Sequence, residues 1–225
     1  MIWLLNGWIL KKINKGREPL SLRQYRSSVP TSDMEKSNIY DDYKEKNILR
    51  KQLLEEQGYV CCYCMGRISE RNSKIEHFKP QSGFREEQIN YSNLFVACKG
   101  GEGTKIRCCD TQKDNRSLNE INLLTEIESE IKYSKDGEIS SKRTTDRQMS
   151  SLTREMNDIL NLNSPLLVKN RKQTYDNFKN KLKGKWSKSN LRNAIDSYKN
   201  KQGDKYAPYS EMMVYLLTKK LNAMN

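Results

Sequence analysis

Six cysteines, Cys61, Cys62, Cys64, Cys98, Cys108 and Cys109, crowd into 49 residues of a 225-residue chain and occur nowhere else in it. Thiolates at a C-x-x-C spacing can share one tetrahedral zinc, because the turn between them aims both sulfurs at one point. Cys61 and Cys64 have this spacing, which leaves Cys62 facing away. A second half follows in ACKGGEGTKIRCCDTQK, with Cys98 and then Cys108 and Cys109. The expected zinc ligands are Cys61, Cys64, Cys98 and Cys109, with Cys108 the competitor for the last place. Two other readings stand beside this one: a redox pair at the C-x-x-C, and free thiols packed as small hydrophobes. A disulfide framework would spread its bridges across a small secreted domain. The clustering, with no export signal, fits a metal site in a reducing cytosol better.

His77, the only histidine, stands between the two cysteine groups in SKIEHFKPQS. If one zinc pins both groups, His77 lies on the segment threaded between them. Glu76 precedes it, Asn93 follows in NYSNLF, and Asp110 and Lys113 sit in CCDTQK. One imidazole, one carboxamide and two carboxylates fit a single task. The imidazole takes a proton from water, and no other side chain here is tuned for that near neutral pH. The carboxylates of Glu76 and Asp110 hold a hard divalent cation, which polarises a phosphate and stabilises the leaving oxygen. The amide fixes the loop or the ring. A lone histidine would more often be a hydrogen-bonded structural residue; the ordered set around it carries the catalytic reading.

The formal net charge is +13, from 41 Lys plus Arg against 28 Asp plus Glu. Such a chain attracts polyanions, nucleic acid above all. A membrane surface fits less well, since it favours a basic amphipathic helix with a continuous apolar face. The opening MIWLLNGWILKKINKG is apolar for about ten residues, too few to span a bilayer. Its lysines follow the apolar run, unlike those of a secretory signal, so a strand or an extension is expected over residues 1–10.

These residues need a scaffold. Residues 11–32 are basic and aperiodic, as in an arm lying on something else. Leu49 and Leu53 share a face and Gly58 follows, which predicts a helix over 41–57. Tyr59-Val60 and Arg67-Ile68 predict short strands on either side of the first cysteine turn. Alternating Ile127, Ser129, Ile131 and Tyr133 with Asp136-Gly137 predict a hairpin. Met149, Leu152, Met156 and Ile159 predict a helix over 145–162, and Ser164-Pro165 a further helix start. Between Lys169 and Lys205 there are 12 Lys or Arg against 3 Asp, so most of the excess charge lies here. Tyr175, Phe178 and Leu182 read as a core stripe, whereas the lysines suit either a solvated face or a phosphate-tracking surface. The closing YSEMMVYLLTKKL predicts an apolar helix.

The string CxYC…IEHFKP…NLFVAC…CDTQK, from about Cys61 to Lys113, resembles an HNH endonuclease. The resemblance implies an α+β fold, a zinc-stapled ββα-metal core with flanking helices and a basic helical C-terminal region. It implies His77 as general base, Glu76 and Asp110 as ligands of a catalytic Mg²⁺ or Mn²⁺, and Asn93 in an orienting role. Lys113 takes the place of a lysine that touches phosphate. The chain departs from the pattern twice. Asp110 stands where Asn or His is usual, and the insert KGGEGTKIRC splits the second cysteine pair, leaving Cys108 and Cys109 both open as fourth ligand.

A narrower resemblance runs through KKINKGREPLSLRQYR, LLEEQGYVCCYCMGRIS, KIEHFKPQS, YSNLFVAC, CDTQK and LNLNSPLLVKNRK. Together these look like the PtuB-type nuclease subunit of Septu and retron-associated antiphage systems. That implies a bacterial cytosolic effector beside an ABC-type ATPase (PtuA-like) and, in the retron form, a reverse transcriptase with its noncoding RNA. The expected organisation is an N-terminal arm (1–40), a nuclease core (41–120), a hairpin and helix (121–163) and a basic helical region (164–225). DNA and RNA are both open as substrates. A non-catalytic zinc module that binds nucleic acid, or a scaffold for a protein partner, is the alternative.

Overall fold

One apolar run, Leu94–Cys98, and one mainly polar run, Ser73–His77, build the central sheet. The computed structural model describes residues 11–36, 39–125, 130–142, 150–184 and 186–224. Strands β1 (Ser73–His77) and β2 (Leu94–Cys98) pair antiparallel, with Ser73 opposite Cys98 and His77 opposite Leu94. Leu94, Phe95, Val96 and Ala97 are all fully buried, as expected of a strand covered on both faces. Helix α3 (Lys46–Glu56) covers the sheet through buried Leu49, Leu53 and Leu54. Burying each such leucine contributes about 1.5–3 kcal/mol. Helix α4 (Cys109–Lys113) returns against β2, completing a strand–strand–helix unit.

The helix expected over 41–57 is broken. A short helix α2 (Ile39–Asp42) stops, and α3 begins only at Lys46. Between them Tyr43 turns inward, its hydroxyl 2.8 Å from that of Ser21 and its ring against Tyr25. The N-terminal segment lies along this unit: Ile13 donates its N–H to the Leu123 carbonyl, and Lys15 reaches the Leu94 carbonyl at 2.8 Å. Helix α1 (Leu20–Ser28) then buries Leu22. Residues 1–10 lie outside the described residues.

Strands β3 (Ile131–Tyr133) and β4 (Ile139–Ser141) form the expected hairpin around Asp136-Gly137; Ile127 and Ser129 lie outside the described residues. Gly137 has φ +92°, and a Cβ there would come within 2.2 Å of the Val168 carbonyl, so only glycine fits. The helix expected over 145–162 is shorter and not all α. Ser150 caps α5 (Ser151–Arg154), and a π turn follows at Glu155–Ile159, with Leu160 N–H bonded to Glu155 O. A π turn re-aims side chains relative to an α-helix. Here it directs the buried Glu155 carboxylate onto the backbone N–H groups of Asn119, Glu120 and Ile121. Met149 lies outside the described residues.

Helix α6 (Pro165–Leu182) starts at Ser164-Pro165 as expected. It faces the core with Leu167, Arg171 and Tyr175. Arg171 is the surprise: its buried guanidinium donates to the carbonyls of Gly137 and Leu162, tying the hairpin to α6. Helices α7 (Lys188–Lys199) and α8 (Ser210–Asn222) pack along one another, and Phe178 meets Trp186 and Tyr198 edge-on.

Candidate active site and metal centre

The first cysteine turn is a knuckle held by one bridge, Val60 to Arg67, with Cys61 N–H bonded to Gly66 O and Ile68 N–H to Tyr59 O. Full strands do not form on either side, because Met65 with φ +58° turns the chain back at once. The second half solves a distance problem. The insert after Cys98 closes on itself, with Cys108 N–H bonded to Gly100 O at 2.8 Å. A Cβ on Gly100 would stand 1.9 Å from the Cys108 carbonyl, so glycine is needed where the loop pinches. Cys109 therefore returns beside Cys98. The sulfurs of Cys61, Cys64, Cys98 and Cys109 all lie within 4.8 Å of one another, a grouping that could hold a metal ion. Backbone N–H groups of Gly66 and Cys98 point at the sulfurs of Cys64 and Cys61. Burial opposes ionisation of Cys61, yet hydrogen bonds from Cys109 and its other sulfur neighbours outweigh it and hold that thiol well below the usual range. Largely buried, convergent sulfurs suit a thiophilic cation.

The strand pleat places Lys74 and Glu76 on one side of β1, and α4 brings Asp110 and Lys113 up to them. With His77, Gln81 and Arg107 they line an open cleft of about 370 Å³. Glu76 is buried, and its Oε1 accepts from the Tyr63 hydroxyl at 2.6 Å and faces Lys113 Nζ at 2.8 Å. Burial first, and then the hydrogen bond and charge of Asp110, push the Glu76 carboxyl well above the usual range despite Lys113. Asp110 moves the other way: burial opposes its ionisation, but the hydrogen bond with Glu76 and the Lys74 ammonium, 3.0 Å away, keep it ionised. Burial thus favours the neutral form of Glu76 beside an ionised Asp110, and a cation between them would favour both carboxylates.

His77 is held on three sides. Its Nε2 is 2.9 Å from the Gln88 carbonyl, its Nδ1 is 3.2 Å from Gln81 Nε2, and the Tyr40 ring meets it edge-on at 4.5 Å. A carbonyl only accepts, so Nε2 carries the proton and Nδ1 keeps the lone pair. Burial lowers the pKa of His77 to about 4, leaving the ring neutral at physiological pH. Asn93 does not touch the ring. Its carboxamide accepts from Lys79 N–H and donates to the carbonyls of Lys79 and Glu87, stapling the loop between β1 and β2. Lys113 is turned inward, its ammonium 3.1 Å from the His77 carbonyl and only 1% exposed, so it braces the strand end and Glu76 from beneath.

Sequence reading passed over Tyr40, Tyr63, Lys74, Gln81 and Gln88. Lys74 alone lies close by in the sequence, two residues from Glu76, and the structure puts both on β1. The others reach the site through loops.

No family model matches the chain. Over 140 residues it is 31% identical to "Retron Vc95 putative HNH endonuclease" of Vibrio cholerae serotype O1 biovar El Tor, covering 60% of this chain and 67% of that protein. Over 108 residues it is 32% identical to "Retron Ec83 putative HNH endonuclease" of Escherichia coli, covering 42% of this chain and 40% of that protein. The second alignment thus spans less than half of its relative. Among the described residues no helix is long and apolar enough to cross a membrane.

Proposed function

Because the chain belongs to the HNH endonuclease family, we propose that it hydrolyses phosphodiester bonds of nucleic acid in the cleft between β1 and α4. One observation carries this reading: His77, whose Nδ1 keeps the lone pair, lines the same cleft as the Glu76–Asp110 pair. His77 Nδ1 takes a proton from a water molecule. The water oxygen bonds to phosphorus, and the P–O ester bond breaks with its electron pair on the leaving oxygen. Mg²⁺ or Mn²⁺, held by Glu76 and Asp110, would supply charge stabilisation at the phosphate and the leaving group. Tyr63 and Lys113 hold the Glu76 carboxyl in place, and Asn93 keeps the loop after His77 in register.

Cys61, Cys64, Cys98 and Cys109 would hold a structural zinc that joins the knuckle, the end of β2 and the start of α4. Asp110 follows Cys109 directly, so that staple would also set the distance between the catalytic carboxylates. The exposed lysines Lys179, Lys181, Lys183 and Lys188 and Arg192, which have no acidic partner among the described residues, would follow the nucleic-acid backbone. The names of both relatives speak of retrons. This and the chain-wide sequence resemblance support an antiphage effector working with an ABC-type ATPase and a retron reverse transcriptase with its noncoding RNA, in a bacterial cytosol.

The test is cleavage of plasmid, single-stranded DNA and total tRNA with Mg²⁺ or Mn²⁺, by wild type and His77→Ala, each alone and with the ATPase. Cleavage present in wild type and lost in His77→Ala is expected, and the substrate cut decides between DNA and RNA. Equal cleavage by both proteins would remove His77 from the chemistry.

A further inference from the structure

Three glutamine carboxamides are packed around the cleft and its sheet, and they are not held alike. Gln57 is pinned by the carbonyls of Val60 and Val96 and by the Val96 N–H. Gln88 donates to the carbonyls of Lys36 and Arg85. Gln81 has a single hydrogen bond among the described residues, to His77 Nδ1 at 3.2 Å. It sits half-buried on the turn after buried Pro80, whose carbonyl accepts from Gly83 and Phe84.

That single bond has a forced direction. His77 Nε2 must donate to Gln88 O, so Nδ1 is an acceptor and Gln81 must donate to it with its NH₂ group. Gln81 therefore covers the one atom of the ring that can accept a proton. At 3.2 Å no water fits between the two nitrogens. The water that reacts can reach His77 only when this carboxamide turns aside, and nothing else among the described residues holds it back.

We propose that Gln81 is the positioning residue for the attacking water, resting on His77 Nδ1 until that water arrives. The proposal rests on the nuclease reading above. With the carboxamide turned, the water donates one hydrogen to His77 Nδ1 and the other to Gln81 Oε1. Both hydrogens are then fixed, and a lone pair on the water oxygen points out of their plane toward phosphorus. A base alone would fix one hydrogen and leave the oxygen free to rotate. Orientation of a reacting group at this level is worth about 10- to 100-fold in rate.

His77 is the only histidine, so nitrogen-15 labelling of histidine reports this one ring without assignment. The experiment compares wild type, Gln81→Ala and Gln81→Met, the second keeping the side-chain length without hydrogen-bonding groups. Long-range proton–nitrogen spectra of the metal-free proteins are recorded first. The expected result is a shifted Nδ1 resonance in both variants, as the donated hydrogen bond is lost, with Nε2 still protonated. Cleavage kinetics follow, with His77→Ala as control. The expected result is a kcat lower by about 10- to 100-fold, with KM within about threefold. An unchanged Nδ1 resonance in a folded variant overturns the proposal whether or not cleavage is seen. Wild-type kcat in Gln81→Met beside an inactive His77→Ala overturns it while leaving the nuclease reading intact. Wild-type cleavage by His77→Ala overturns that reading itself.

Discussion

The cysteine group and the carboxylate cleft are neighbours on one strand–strand–helix unit, yet they are built in opposite ways. The sulfurs are gathered by three separate chain segments, buried in the core (half-buried at Cys98) and served by backbone N–H groups. The carboxyl groups lie in an open cleft, and other side chains occupy them: Tyr63 and Lys113 at Glu76, and Lys74 at Asp110. A site closed by four convergent ligands suits a permanent structural ion, and one with few protein ligands and an open side suits a working one. The contrast teaches that removing the first should cost the fold, whereas removing the second should cost the reaction.

The largest effect is expected at the cysteines. Cys61→Ser with Cys64→Ser should lower bound zinc well below one per chain and abolish the cooperative unfolding transition, because structural zinc contributes about 10–16 kcal/mol to small folded units. Metal analysis and circular dichroism read this out, and a folded, zinc-loaded double variant would break the comparison from one side. Next comes Asp110→Asn. It should reduce cleavage by at least about 10²-fold with only a small change in thermal midpoint, since the lost Lys74 contact is offset by relief of the buried Glu76 carboxyl. A large drop in that midpoint would make the cleft a structural site after all.

Smaller effects sharpen the picture. Lys113→Met leaves the Glu76 carboxyl and the His77 carbonyl without their buried donor, which should cost about 1–3 kcal/mol in a denaturant titration. A change near zero would show that the lysine is not the brace described above. The mildest effect is on pH. His77 protonates at about 4 when folded against 6.5 as its ordinary value. Above 6.5 both states hold it neutral. As the pH falls from there the unfolded chain takes up the proton first, so stability is lost down to about 4, by at most on the order of 3 kcal/mol. Over the same window the base stays neutral, so the His77 ring nitrogens should show no titration near 6.5, and a bound cation beside the ring would move it lower still. A clear inflection near 6.5 would mean that His77 is solvated in the working protein.

Legibility followed how local each signal is. The C-x-x-C spacing acts within one turn, so the knuckle could be read directly. The period-2 pattern around Asp136-Gly137 also gave the hairpin. The helix over 41–57 failed because periodicity is blind to what each face must meet: Tyr43 is drawn to Tyr25 and Ser21, which lie on another segment. The helix over 145–162 failed for a related reason, since Glu155 is captured by backbone N–H groups more than thirty residues upstream. Lys113, a surface residue on composition alone, became nearly inaccessible because α4 folds it under β1.

By itself, the sequence determined which groups are present and in what order: convergent thiols, one imidazole, two carboxyls and a basic C-terminal stretch. Ligand spacing and charge are properties of covalent neighbours, so they survive without a fold. Only the tertiary structure decided which ring nitrogen is free, which carboxyl keeps the proton, and that Gln81 rather than Asn93 touches the base. Those outcomes depend on a carbonyl at Gln88, on burial beneath α4 and on the turn after Pro80. Each is set by contacts between segments far apart in the chain, at distances of a few ångströms that no spacing rule encodes.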